Sequence, residues 1–244
     1  MAILDLLDDD VDLSPDRHIR ADPEPLDTGA ATARLRAAIA ALPEPPRLRP
    51  AGDRTGHAVT TVGDLVKAGV LAVRQGPFRR EEPAPQAGPG ATLRMLTARD
   101  VHARRAATGR VPADSPGHVT LEPGDVVAVV PAVAGSGVVV VDDGGAVLGP
   151  RTQLLRPDRE RLDPHYLAGV LWAAATVETR ITGRSDIRRV AVPLLPIGTQ
   201  RDVGEAFRNL WALETGLREV REAGLVLLRG SVQGLGAGSL EVDA

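Results

Sequence analysis

The chain has 244 residues, 43% of them apolar and 2% aromatic, with no cysteine and a formal net charge of −3. That is length for one sizeable domain plus an appended element, with a core filled by Val, Leu and Ala. The missing thiols exclude disulfides, thiolate metal sites and thiol catalysis, and no run approaches the roughly 18 apolar residues of a membrane span.

The acidic start MAILDLLDDDVD also lacks the apolar core of a signal peptide, so the expectation is a soluble, cytoplasmic protein with no membrane partner. Lys and Arg together number 29 and Lys67 is the one lysine, a bias read first as high-GC coding and second as arginine chemistry. Charge is uneven along the chain. Residues 1–27 hold nine acids against Arg17 and Arg20, whereas residues 74–110 hold eight arginines against Glu81, Glu82 and Asp100. Such a basic segment is either an electrostatic footprint or a set of scattered solvated charges.

In chain order, residues 1–28 read as an acidic linker punctuated by Ser14-Pro15, Pro23 and Pro25. The spacing of Leu35, Ile39 and Leu42 predicts a helix over 30–42 with Thr28 as candidate N-cap, ended by PEPPRLRP. Residues 29–55 are thus a short helix and a proline-rich connector. From Ala58 the texture changes to short β-type runs: Thr60 to Val62, then VLAVRQG, then TLRMLTARDVHARR as a strand with a helical turn. HVTLEPGDVVAVVP predicts two strands around Pro123-Gly124, and GVVVVDDGGAVLG predicts a hairpin turning at Asp142 to Gly145. LDPHYLAGVLWAAATVETRI predicts a helix capped by Asp163, with Pro164 at its first position and Leu167, Leu171 and Ala175 on one face.

DIRRVAVPLLPIGTQRDVGEAF follows: a short strand, two prolines, and a polar/apolar pattern opening at Gln200. Val203, Phe207, Leu210, Leu213, Leu217, Val220 and Leu227 recur at threes and fours, predicting a helix over 198–232 of about 45 Å at ~1.5 Å per residue, with Gly216 and Gly224 as possible breaks. Residues 233–244 read as a tail. The whole is an α+β chain: a small mixed β-sheet domain over 56–197, flanking helices, and a long C-terminal helix.

Catalytic patterns are missing. The five histidines never fall at metal-ligand spacing, so no metal site is expected. Ala134-Gly135-Ser136-Gly137 lacks the first glycine of a nucleophile elbow, and Val138 to Val141 is β-type where a helix belongs. The same β-type run defeats a dinucleotide loop, and Asp142-Asp143 beside Gly144-Gly145 are turn formers. The expectation is that the chain is not an enzyme.

Four motifs in order carry a resemblance: Gly124-Asp125 with VVAVV, Gly135-Ser136-Gly137 with VVVV, Leu162-Asp163-Pro164-His165-Tyr166-Leu167, and Pro193-Leu194-Leu195-Pro196 with Gln200. In these the segment over 58–230 resembles the target recognition domain of type I restriction-modification specificity subunits, and the equivalent C-terminal specificity domain of N6-adenine DNA methylases. The proline motif reads PLLP where that family has PLPP, and one recognition domain is present where a full specificity subunit has two. A methylase catalytic motif and a glycine-rich S-adenosylmethionine loop are both absent from the sequence.

The resemblance implies a sequence-specific double-stranded DNA recognition module that directs an N6-adenine DNA methyltransferase in a restriction-modification or related defence system. S-adenosylmethionine is expected on the partner methylase and no cofactor on this chain. DNA contact falls to Arg74, Arg79, Arg80, Arg94, Arg99, Arg104 and Arg105, since guanidinium can bridge guanine O6 and N7, or a phosphate, with two bonds. Gln200, Val203, Phe207, Leu210 and Leu217 are the expected docking face for the methyltransferase subunit or domain, with self-association through the same helix as a further expectation. The chain is read as either a detached C-terminal half of a methylase or a subunit beside a separate one. The alternative is a scaffold that docks through its C-terminal helix and never touches DNA.

Overall fold

The computed structural model describes residues 27–50, 57–77, 91–130, 137–178 and 186–242, the side chains of 176–178 excepted. The chain divides into two compact units, Pro45–Trp211 and a second made of Met1–Glu44 with Ala212–Ala244. It is an α+β fold with small sheets and a long C-terminal helix.

The first helix, α1 (Thr28–Ala40), belongs to the smaller unit; in the larger unit β1 (Val59–Thr61) runs directly into a short helix, α2 (Val62–Lys67). Thr61 caps α2, its Oγ1 accepting from Asp64 N at 3.1 Å. Gly69, at φ +69°, reverses the chain while its N–H bonds Val66 O, and Val70 N–H bonds Leu65 O. β2 (Leu71–Gln75) follows. β3 (Thr92–Leu96), α3 (Ala98–Ala103) and β4 (Gly109–Pro112) form the next group, then β5 (Val126–Val129), β6 (Val138–Val140), β7 (Val147–Leu148) and β8 (Thr152–Pro157). α4 (Pro164–Glu178), a 3-10 turn (Ile187–Arg189), β9 (Ala191–Pro193) and α5 (Ile197–Ala237) complete the described elements.

Among the described residues the strands form three sheets. The largest has the order β2-β8-β5-β6 with antiparallel neighbours throughout. It is covered on both sides, which is why β5 reads VVAV with no polar alternation and every position is buried. Leu71, Val126, Ala128 and Leu155 pack with Leu167, Ala168 and Leu171 of α4. The opposite face turns Val127, Val129 and Leu154 toward Leu96, Val101 and Leu148. A second sheet has the order β4-β3-β7, and β1 pairs with β9 to bring the two ends of this unit together.

The expected hairpin over 137–149 does not form. β6 bonds β5 while β7 bonds β3, so Asp142 to Gly145 carry the chain from one sheet to the other. The glycine turn is real, with Gly145 at φ +87° and its N–H on Leu121 O, but the valines after Gly137 find their ladder in β5. Ahead of Pro123 there is an isolated bridge, Thr120 to Val147, where a full strand is expected.

In the smaller unit α1 is capped by Asp27, whose Oδ1 accepts from Ala30 N at 2.9 Å, one residue before the expected Thr28. α1 lies antiparallel to the later part of α5. A Cβ on Gly216 would meet Leu42 Cδ2 at 2.8 Å, and one on Gly224 would lie 3.8 Å from Leu35 Cδ1. These glycines therefore let two helices approach and do not interrupt α5, which runs 41 residues and begins three residues before Gln200. No helix among the described residues is long and apolar enough to cross a membrane.

Candidate nucleic-acid interface

The arginines of 74–110 separate into two kinds once the strands pair. On the antiparallel β3–β4 ribbon, Arg94 and Arg110 are direct cross-strand partners, both exposed. Like charges placed opposite each other weaken a ribbon. No acidic side chain among the described residues pairs with either; Arg110 Nη1 makes a long 3.4 Å contact to Thr92 Oγ1. Thr97 closes the end of β3 by capping α3, and the Asp100 carboxylate accepts in return from Thr97 N (3.0 Å) and Oγ1 (2.7 Å).

Arg105 is also held by Asp100, its Nε donating to Oδ1 at 2.8 Å, while about half of its side chain stays exposed. Asp100 itself is fully buried and also accepts from Thr108 N and Oγ1. Burial opposes its ionisation, but the bonds from Thr97, Thr108 and Arg105 together hold its carboxyl well below the usual carboxylate range. Arg94 and Arg105 line one cavity of about 150 Å3 with Leu96, Leu121, Val141 and Asp142. The strands and the α3 cap thus bring Arg94, Arg105 and Arg110 to one region.

Arg104 goes elsewhere. It ends α3 in the left-handed region at φ 48°, which turns its guanidinium inward, 5.0 Å from the Trp172 ring centre and 5.4 Å from that of Trp211. A cation stacked on two indoles is a packing element of this aromatic cluster. Arg74 is exposed on β2, opposite Leu154, and Arg99 is exposed on α3. Arg79 and Arg80 lie outside the described residues. Arg110, absent from the sequence-derived set, is the residue that sequence reasoning missed: the segment 106–117 carries no apolar pattern, so only the β3–β4 register reveals it.

The expected docking residues divide as well. Gln200 is buried, its Oε1 accepting from Asp163 N at 3.0 Å and its Nε2 donating to Leu195 O at 2.8 Å and Arg161 O at 3.3 Å. Those bonds hold the buried amide inside its own domain. Phe207 and Val203 are half-buried against the α4 core cluster, and Trp211, one residue past Leu210, is buried there. A Cβ on Gly169 would fall on the Phe207 ring, so α4 and the start of α5 meet at close range. Leu210 is half-buried and Leu217 is 52% exposed. Farther along α5, Val226, Leu228, Val232 and Leu235 are exposed too. The exposed apolar stretch thus lies C-terminal to most of the expected one.

No cluster of three or more potential metal ligands occurs among the described residues. No protein-family model and no curated protein matches the chain. Among the solved structures similar to it are three from type I restriction-modification systems. A chain of a type I R-M system, in a structure concerned with complex assembly and conformational transition, shares 20% identity at a TM-score of 0.46, over 83% of this chain and 52% of that one. The HsdS subunit from Thermoanaerobacter tengcongensis shares 20% at 0.44, over 83% and 51%. The type I S subunit from M. genitalium shares 11% at 0.45, over 83% and 53%. This chain spans about half the length of each.

Proposed function

We propose that this chain is a sequence-specific double-stranded DNA recognition module that directs an N6-adenine DNA methyltransferase. The observation that carries the reading is the Arg94–Arg110 cross-strand pair. A fold that sets two arginines opposite each other, without an acid among the described residues to neutralise them, accepts a stability cost that an anionic partner would remove. A two-stranded ribbon fits the major groove, and arginine can reach guanine edges or phosphates from it. Arg105, oriented by Asp100, adds a third cation; Arg74 and Arg99 are exposed and supply phosphate contacts, as do Arg79 and Arg80. Arg104 is assigned to the aromatic cluster. The order of the Gly-Asp, Leu-Asp-Pro-His-Tyr-Leu and Pro-Leu-Leu-Pro motifs supports the methyltransferase half of the reading. In it the partner, not this chain, holds S-adenosylmethionine and performs methyl transfer.

Selection of the purified chain on a randomised duplex pool, at low and then moderate salt, tests the proposal. Enrichment of a short motif that fails with Arg94→Ala supports it. Retention without enrichment would leave only a basic patch, and no retention at either salt, with or without a methyltransferase, would sink it. The exposed Leu217, Val226, Leu228, Val232 and Leu235 favour a second reading, a docking scaffold without DNA contact. In the first reading the same residues, with half-buried Leu210, face the methyltransferase or a second copy. Duplex binding that weakens with salt separates the two readings, because a scaffold has none.

A further inference from the structure

The sheet face that packs on α4 carries an unexpected polar row. The register β2-β8-β5-β6 aligns Gln75 with Gln153, Gln153 with Ala128, and Ala128 with Val138. Gln153 is 5% exposed and shares its face with Leu155, yet no hydrogen bond from any described residue reaches its side-chain amide. The amide atoms are not sealed off: without a protein partner they keep some access to solvent. Gln153 lines a cavity of about 120 Å3 together with, among the described residues, Val138 from the sheet, Leu171 of α4, and Ile187 and Val190 around the 3-10 turn. Gln75 and Asp186 stand at its exposed rim, Asp186 Oδ1 accepting from Arg188 N at 3.0 Å. No cation is among the described lining residues.

We infer that this cavity binds an amino-substituted nucleobase of the adenine type, with Gln153 pairing to its edge. A carboxamide offers a donor and an acceptor side by side, the complement of an exocyclic amino group next to a ring nitrogen. The aliphatic walls suit the faces of a flat ring. The Asp186 carboxylate can accept from an amino group. At about 120 Å3 the cavity has room for a flat ring system. Arg94 and Arg105 border a cavity lined by Val139, Val140 and Val141, and none of the described residues lining that cavity lines this one. The site therefore stands apart from the arginine ribbon and goes beyond the duplex-recognition reading.

The test is saturation-transfer NMR on the full chain without duplex DNA, so its result is independent of the duplex selection. Free adenine is one arm and a short single-stranded oligo-dA the other, with hypoxanthine, which replaces the amino group by a carbonyl, as comparator. Saturable adenine binding, at least tenfold weaker for hypoxanthine and for Gln153→Leu, is expected. Gln153→Leu should melt no lower than the parent, because it removes an unpartnered polar group; Gln153→Glu gives a second variant of the same shape. Binding in the oligo-dA arm alone, lost in either variant, supports the site and makes its source a strand-borne base. Equal affinity for hypoxanthine, unchanged affinity in both folded variants, or no saturable binding in either arm overturns the assignment.

Discussion

Arg94 and Arg110 stand directly opposite each other on antiparallel strands, and no acidic side chain among the described residues neutralises either. Opposed like charges cost a ribbon on the order of 0.2–1 kcal/mol. Arg110→Ala should therefore raise stability by about 0.5 kcal/mol in urea denaturation, at the lower edge of what such curves resolve. If the ribbon contacts DNA, the same variant should bind duplex more weakly, and the slope of log affinity against log salt should flatten by about one. Fluorescence anisotropy across a salt series checks this. A variant both less stable and unchanged in binding would remove the ribbon from the interface.

Asp100 links the ribbon to its supporting helix. Its carboxyl is held below the usual range in the folded chain, against a value near 3.9 when unfolded. As pH falls below that unfolded value, the unfolded chain takes up the proton first. The stabilisation from Asp100 is thus complete above about pH 4 to 5 and drains away on further acidification. Asp100→Asn should cost about 2 kcal/mol at pH 7, because bonds to Thr97, Thr108 and Arg105 are weakened or lost. Its stability should then fall less steeply than the parent's between pH 5 and 2.5. Urea midpoints across that range give the comparison.

Gly169 and Phe207 fix the approach of α4 to the start of α5, where an added Cβ would overlap the ring. Gly169→Ala should cost roughly 1–3 kcal/mol through overpacking. At about 2–4 °C per kcal/mol for a chain of this size, calorimetry will resolve it. Trimming the ring with Phe207→Leu in the same chain should return part of the loss, a coupling absent if the two residues do not touch.

These sites differ in how far the sequence discloses them. The Asp163-Pro164 start is local chemistry, and Asp163 Oδ1 does accept from Tyr166 N at 2.8 Å. The long α5 was legible from its 3.6-residue period, and α3 as a helical turn after a strand. The hairpin over 137–149 was misjudged because a glycine turn specifies reversal, not which strand the returning segment joins. Arg110 and the Gln75–Gln153 row were invisible because each depends on register between segments distant in sequence. Gly216 and Gly224 looked like helix breaks; their use against Leu42 and Leu35 appears only when α1 is in place.

Gln200 supplies the sharpest contrast between motif and structure. Its position after the prolines suggested an external contact, yet its amide bridges Asp163 N, Leu195 O and Arg161 O, tying the start of α4 to the start of α5. The carbonyls need a donor and the N–H needs an acceptor, a demand only a carboxamide of this length meets. Gln200→Leu should lower stability by about 2 kcal/mol by stranding these backbone groups. Gln200→Glu keeps the acceptor but, once ionised, turns a carboxylate toward two carbonyl oxygens. The introduced carboxyl should titrate above its unfolded value near 4.3, since the protonated form alone can donate. Its deficit should therefore be smallest below that value and grow as pH rises through the folded one, reaching about 3 kcal/mol at pH 7. Thermal melts of the three proteins at pH 4 and pH 7 decide it: a Gln200→Glu deficit independent of pH would mean the side chain lies open to solvent and remains available to a partner.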